Sequence, residues 1–382
     1  MTDRYQIARP ELGEPEWQAV RAVIESGWVT QGPKVAEFER AVADACGAAE
    51  GVAVSSCTSA LHLALVCAGV GPGDEVVVPS LSFIATANAV VHAGATPVFA
   101  EVDPTTYNLD LDDARRRIGP RTKAIVLVHQ LGLPADIDGF RALTDERGIA
   151  LVEDAACAIG STYRGAPIGS HADFVCFSFH PRKLLTTGDG GMVLTPSADH
   201  AARLRRLRHH GMSVSDLERH RADDIVRERY DEVGFNYRMT DVQAAIGIEQ
   251  LRRLPAILEV RQALAEVYDE ALADDDLIGV PVRLPDVTWN VQTYAVRLDG
   301  FDAVRRDDVM RTLLRAGITT RPGVMTAHRE LAYAPADGVV EPLPRSELAS
   351  DTAIALPLHG GITPDDCRLI AEALRKAVAA AR

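Results

Sequence analysis

Apolar residues in the first 200 positions fall into short runs separated by polar, amphipathic stretches. Runs at 52–55, 75–79, 96–102, 123–128, 149–153, 174–178 and 191–195 read as seven strands. Successive positions are apolar, not alternate ones, which is the pattern of strands covered on both faces. Helical periodicity fills several of the gaps. Residues 58–68 place Leu61, Leu65 and Ala68 on one face, and 82–92 forms a second helix that Gly94 ends. Interleaved strands and helices predict an α/β fold built on a mostly parallel seven-stranded sheet.

The pattern changes at 240. Helical stretches at 240–254 and 255–273 are followed by a strand candidate at 291–298, a helix at 305–316 and a last helix at 364–381. We therefore expect a large α/β domain over 1–250 and a smaller C-terminal α+β domain over 251–382, the boundary lying inside a helix. No repeat or low-complexity tract interrupts either. The stretch 209–230 is dense in charge and weakly periodic, and reads as a surface loop or a solvated helix.

Composition narrows the function classes. The chain has 382 residues, 47% apolar and 25% charged, as in a globular protein. Forty Lys and Arg against 54 Asp and Glu leave a net charge of −14. That charge opposes binding to nucleic acid and to anionic membranes. No apolar run reaches the roughly 18 residues that span a bilayer. The first residues lack the apolar stretch of a signal peptide, which points to the cytoplasm. The six cysteines (Cys46, Cys57, Cys67, Cys157, Cys176 and Cys367) form no C-x-x-C pair, and most lie in apolar runs. We expect buried, reduced thiols, with neither disulfides nor a metal site.

The chemistry gathers at three strand ends. Glu153-Asp154 closes the fifth strand, at the edge where open α/β sheets bind ligands. Phe177-Ser178-Phe179-His180-Pro181-Arg182-Lys183 leaves the sixth strand and runs into Thr186-Thr187-Gly188-Asp189-Gly190-Gly191. A lysine between an apolar strand and a Gly-rich turn suits an amine nucleophile, whose pKa desolvation and nearby cations lower. Ser55-Ser56-Cys57-Thr58-Ser59 offers a helix start, which suits a phosphate. Lysine, aspartate and phosphate cradle are together what pyridoxal 5'-phosphate requires. Gly69-Val70-Gly71-Pro72-Gly73 is no dinucleotide fingerprint, because it joins a helix to a strand and not the reverse.

These motifs resemble the sugar aminotransferases of the DegT/DnrJ/EryC1/StrS group, within the fold-type I pyridoxal phosphate enzymes. The likeness extends to Gly27-Trp28-Val29-Thr30-Gln31-Gly32-Pro33, Ala85-Thr86-Ala87-Asn88, Gly234-Phe235-Asn236-Tyr237-Arg238 and Leu356-Pro357-Leu358-His359. It implies that Lys183 holds the cofactor as a Schiff base and shuttles the proton. It implies that Asp154 pairs with the pyridine nitrogen and that Phe83 stacks on the ring. Backbone groups at Cys57 and Thr58, with the Ser178 hydroxyl, would hold the phosphate. Asn236 would reach the phosphate of a partner subunit, making a homodimer with shared active sites. Cys157 would lie near the phenolic oxygen, where many members carry Gln or His. Trp28, Thr30, His180 and Arg321 are candidate substrate contacts. One branch of the group carries His in place of the lysine and dehydrates sugars; Lys183 argues against it.

The implied reaction moves nitrogen from glutamate or glutamine to a nucleotide-linked keto-sugar, with pyridoxamine phosphate as the intermediate form of the cofactor. A ketocyclitol is an alternative acceptor. A cofactor-binding regulator without turnover is the alternative of another class, and the intact lysine and aspartate weigh against it.

Overall fold

The computed structural model describes residues 5–214, 219–220, 223–334 and 339–382. Part of the charged stretch 209–230 (residues 215–218 and 221–222) lies outside the described residues. Two helices come first, α1 (Glu14–Ser26) and α2 (Pro33–Ala45). Then follow β1 (Glu50–Val54), α3 (Cys57–Cys67), β2 (Glu75–Pro79), α4 (Ala85–His92), β3 (Thr96–Ala100), α5 (Leu111–Arg117) and β4 (Thr122–Val128). The sequence continues through α6 (Ile137–Arg147), β5 (Ala150–Asp154), the short β6 (Thr162–Tyr163) and β7 (Ala166–Pro167), β8 (Phe174–Ser178), β9 (Gly191–Thr195) and α7 (Ala198–Leu207).

All seven strands read from the apolar runs are present, in one sheet of order β1-β9-β8-β5-β4-β2-β3. From β8 to β3 neighbours are parallel, and β9 is antiparallel to both β1 and β8. Strand alternation sends Val76, Val78 and Val126 to one face, against Leu61 and Leu65 of α3. It sends Val77, Ile125 and Leu127 to the other, against Phe38 of α2 and Phe140 of α6. Helices α1, α2, α5, α6 and α7 are additions to the periodicity reading. The last three carry a cap signal: Asp110, Asp136 and Ser197 each accept a backbone N–H from three residues on.

Helix α8 (Asp241–Leu272) corrects the expectation of two stretches meeting at 255. It is one helix of 32 residues with Pro255 inside it. A capping box of Thr240 and Gln243 starts it. An interior proline costs about 3 kcal/mol. On either side of it the helix buries large side chains: Ile248 and Leu254 in the first core, Leu264, Tyr268 and Leu272 in the second. Each such side chain contributes about 1.5–3 kcal/mol, so burial wins. Residue 250, where the sequence reading divides the chain, lies within this one continuous helix.

The remaining elements are β10 (Ile278–Gly279), β11 (Val287–Thr288), β12 (Tyr294–Leu298), α9 (Ala303–Arg315), β13 (Arg321–Pro322), α10 (Pro344–Thr352), β14 (Ala353–Leu356) and α11 (Pro364–Ala380). A four-stranded antiparallel sheet of order β10-β12-β14-β13 forms their centre. Its core takes Val296, Ile354, Leu313 and Leu374, and also Tyr5 and Leu133 from earlier in the chain. The strand expected at 291–298 begins only at Tyr294, because Val291 has φ 51° and cannot continue an extended chain.

Candidate active site

The carboxyl ends of β5 and β8, the start of β9 and the N-terminus of α3 converge on one edge of the large sheet. Gly191 pairs with Ser178 on one side and Val54 on the other. A Cβ at Gly191 would lie 2.7 Å from the Cys57 nitrogen and 2.5 Å from the Ser56 carbonyl carbon. Only glycine lets β9 pass this close under the helix start. Ser56 caps α3 by accepting from the Ser59 N–H at 3.1 Å. The N–H groups of Cys57 and Thr58, and the Ser178 hydroxyl, meet no acceptor among the described residues. They are the orphan donors that helix starts offer to anions.

Asp154, 6% exposed, ends β5. Its Oδ2 accepts from Thr86 Oγ1 at 2.8 Å and its Oδ1 from the Ala156 N–H at 3.2 Å. Thr86 is itself 2.7 Å from the Ser82 hydroxyl. These bonds fix the carboxylate in orientation. Thr86 stands in the matched motif at 85–88, but nothing in its spacing from Asp154 announces the contact.

Lys183 lies in the turn after β8, its N–H bonded to the His180 carbonyl at 2.8 Å. Its Nζ donates to Cys157 Sγ at 3.0 Å. The expected lowering of its pKa is not found: burial pulls the ammonium down, but the sulfur of Cys157, then Cys57 and Asp154, outweigh it, so the group sits above the usual lysine value. Burial, then Asp154, pushes the Cys57 thiol well up.

Lys183 and Cys157 line a cavity of about 330 Å³ together with Phe83, Gln130 and Arg321. Phe83, on the same cavity lining as the amine, is 69% exposed. Among the described residues no aspartate or glutamate lines this cavity, whereas Arg9, Arg182, Arg261 and Arg321 do. Arg261 is spent on backbone carbonyls, and burial lowers its pKa to about 10. The side chains of Arg9, Arg182 and Arg321 pair with no carboxylate among the described residues. Burial, then the like charge of Arg182, lowers Arg321. Burial holds His359, on the same wall, below the usual imidazole value. Its Nε2–H donates to the Gln6 carbonyl at 3.2 Å, and its Nδ1 accepts from the Gly361 N–H at 3.0 Å.

Eight predicted residues stand outside this lining: Asp154, Cys57, Thr58 and Ser178 at the sheet edge, and Trp28, Thr30, His180 and Asn236 beyond it. Trp28 Nε1 donates to the Gln31 carbonyl at 3.0 Å, in the turn between α1 and α2. The Thr30 carbonyl accepts from the Asp241 N–H at 2.9 Å. His180 is exposed, its Nδ1 accepting from the Arg182 N–H at 3.2 Å. Asn236 is exposed on the surface beside Arg238, whose Nε donates to it at 3.1 Å. Arg9, Arg182, Gln130 and Gln292 join the cavity without a sequence signal of their own.

An amine, a carboxylate fixed by Thr86, an exposed aromatic ring and unsatisfied amides at a helix start fit a phosphorylated aromatic aldehyde. A profile of the DegT/DnrJ/EryC1/StrS aminotransferase family matches residues 10–375. The GDP-perosamine synthase of Caulobacter vibrioides is 39% identical over 376 residues, 97% of each chain. The aminotransferase TlmJ from Streptoalloteichus hindustanus has TM-score 0.90 at 38% identity, over 98% of this chain and 99% of that one. Spr1654 from Streptococcus pneumoniae, in its PLP-form, has TM-score 0.92 at 28% identity, over 99% of each chain. With the profile spanning nearly the whole length, the chain belongs to the DegT/DnrJ/EryC1/StrS aminotransferase family.

Proposed function

We propose that this aminotransferase moves an amino group from an amino-acid donor to the keto carbon of a nucleotide-linked sugar. The observation that carries the reading is Lys183, an amine in the cavity wall with Cys157 at 3.0 Å and exposed Phe83 on the same lining. Pyridoxal phosphate, when bound, supplies an aldehyde that accepts nitrogen and a ring that withdraws electrons from the carbon losing its proton. The chain's own residues do the rest. Lys183 Nζ would take that proton as general base and return it as general acid to the carbon on the far side of the transferred nitrogen. Asp154, held by Thr86, keeps a positive charge at the ring nitrogen. The amides of Cys57 and Thr58, with the Ser178 hydroxyl, hold the phosphate.

Both substrates are anionic, the donor through carboxylates and the acceptor through its diphosphate. Unpaired Arg9, Arg182 and Arg321 on a wall without acids, in a chain of net charge −14, support this pairing. Glutamate or glutamine is the donor we propose. We also propose a homodimer in which exposed Asn236 serves the partner's phosphate site.

Purified protein should be yellow, and glutamate alone should bleach it. Lys183→Ala should lose both the colour and the bleaching, a rate loss of at least about 10³-fold for an essential proton carrier. Retained glutamate-driven bleaching in that variant would remove Lys183 from the reaction. A screen of nucleotide-linked keto-sugars and ketocyclitols against glutamate-loaded enzyme, read by mass, decides the acceptor.

A further inference from the structure

Asn290, Val291 and Gln292 form a turn just before β12 that the reaction above leaves unused. All three are buried. Val291 has φ 51°, a region that a β-branched residue occupies only when its surroundings hold it there. Extended backbone carries residues two apart to the same face. The kink at Val291 lets its two neighbours reach different loops.

Gln292 brackets the lysine. Its Oε1 accepts from the Leu184 N–H at 3.1 Å, and its Nε2 donates to the Arg182 carbonyl at 2.8 Å. One amide thus holds the chain on both sides of Lys183. Asn290 grips the other loop: its Nδ2 donates to the carbonyls of Cys157 and Ile159, each at 2.8 Å. Its Oδ1 accepts from the Gln292 N–H at 2.9 Å, which joins the two grips. Arg261 on α8 closes the turn from behind, donating to the carbonyls of Val291 at 2.9 Å and Gln292 at 2.7 Å. Gly132 leaves room for it. A Cβ there would lie 2.1 Å from Asn290 Oδ1 and 2.7 Å from the Cys157 carbonyl, and its φ is +93°.

We propose that the turn at 290–292 is a clasp that sets the reach of Lys183 toward Cys157, with Gln292 and Asn290 as positioning residues. The clasp rests on Lys183 being the reacting amine. Because β12 follows it directly, the clasp also couples the second sheet to the lysine turn.

Two substitutions test it. Gln292→Met keeps the length of the side chain and removes both bonds. Gln292→Glu keeps an acceptor for the Leu184 N–H and loses the donor to Arg182. In single turnover of the holoenzyme with glutamate, Gln292→Met should slow the half-reaction about tenfold, as two lost buried hydrogen bonds allow. Half-saturation by glutamate should stay within about twofold, since both polar atoms of Gln292 are already spent on the Leu184 N–H and the Arg182 carbonyl. The pH midpoint of the visible cofactor band should move with the rate, and Gln292→Glu should fall between Gln292→Met and wild type. Thermal melts establish folding; should Gln292→Met fail to fold, Gln292→Glu is compared with wild type alone. Folded variants that match wild type in rate and in pH midpoint overturn the clasp. If wild type takes up no cofactor, the proposed function fails instead. The clasp is then read in the cofactor-free full chain by competitive acylation of Lys183 against pH, where identical profiles for wild type and Gln292→Met overturn it.

Discussion

His62, His171 and His359 are each held below the usual imidazole value of 6.5, burial being the largest cause in every case. Below that value the unfolded chain protonates while the folded chain does not. The unfolded state then binds more protons, so stability present at neutral pH is lost as pH falls through 6.5 toward the folded values. We expect the thermal midpoint to drop by a few degrees between pH 7 and pH 5. His359→Gln keeps a donor and an acceptor and should flatten the drop; a slope unchanged in His359→Gln would show that its share is negligible. At this scale the sequence speaks unevenly. Lys183 and Asp154 stand out because a lysine beside an apolar strand and an aspartate closing one are each unusual placements. Thr86, Gln292 and Arg182 do not, because a threonine in a helix, a glutamine before a strand and an exposed arginine are ordinary. Each acquires meaning only from a partner far along the chain, as Gln292 does from Leu184, 108 residues away.

Asp241 shows how one element sets another. It opens α8, yet its carboxylate caps α2: Oδ1 accepts from Gly32 and Val35 at 2.8 and 3.0 Å, and Oδ2 from Lys34 at 3.0 Å. Burial raises its pKa, and these three amides oppose the rise. Asp241→Ala should cost about 2 kcal/mol, the upper end for a helix cap, measurable by urea unfolding. Loss of less than a few tenths would mean that solvent replaces the carboxylate freely. Strands and helices of the large sheet are legible because their periods are regular. Helix α8 is harder to read, since Pro255 signals a break that burial on both sides overrides. The late start of β12 is invisible, because a left-handed valine has no signature in a run of apolar residues.

For the whole molecule, a cavity lined by arginines in an acidic protein supports the proposed anionic substrates, and the exposed Asn236 leaves the proposed shared site open to test. If Asn236 serves a partner's phosphate, chains carrying Lys183→Ala and Asn236→Ala should complement when mixed. Random pairing makes half of the dimers hybrids, each with one intact site, so activity should return to a sizeable fraction of wild type. Hybrid dimers demonstrated by mass, with no recovered activity, would remove Asn236 from the partner's site. Among the described residues no helix is long and apolar enough to cross a membrane.

The amino-acid order by itself determined the large sheet, the strand ends that bear Asp154 and Ser178, and the lysine at 183. All of these follow from local period and from residue types whose burial needs a reason. Only tertiary structure decided that Cys157 meets Lys183, that one wall of the cavity carries arginines without acids, and that Gln292 holds the lysine turn. Those contacts join residues from separate elements, and side-chain geometry across such distances is set by packing, which no local pattern encodes.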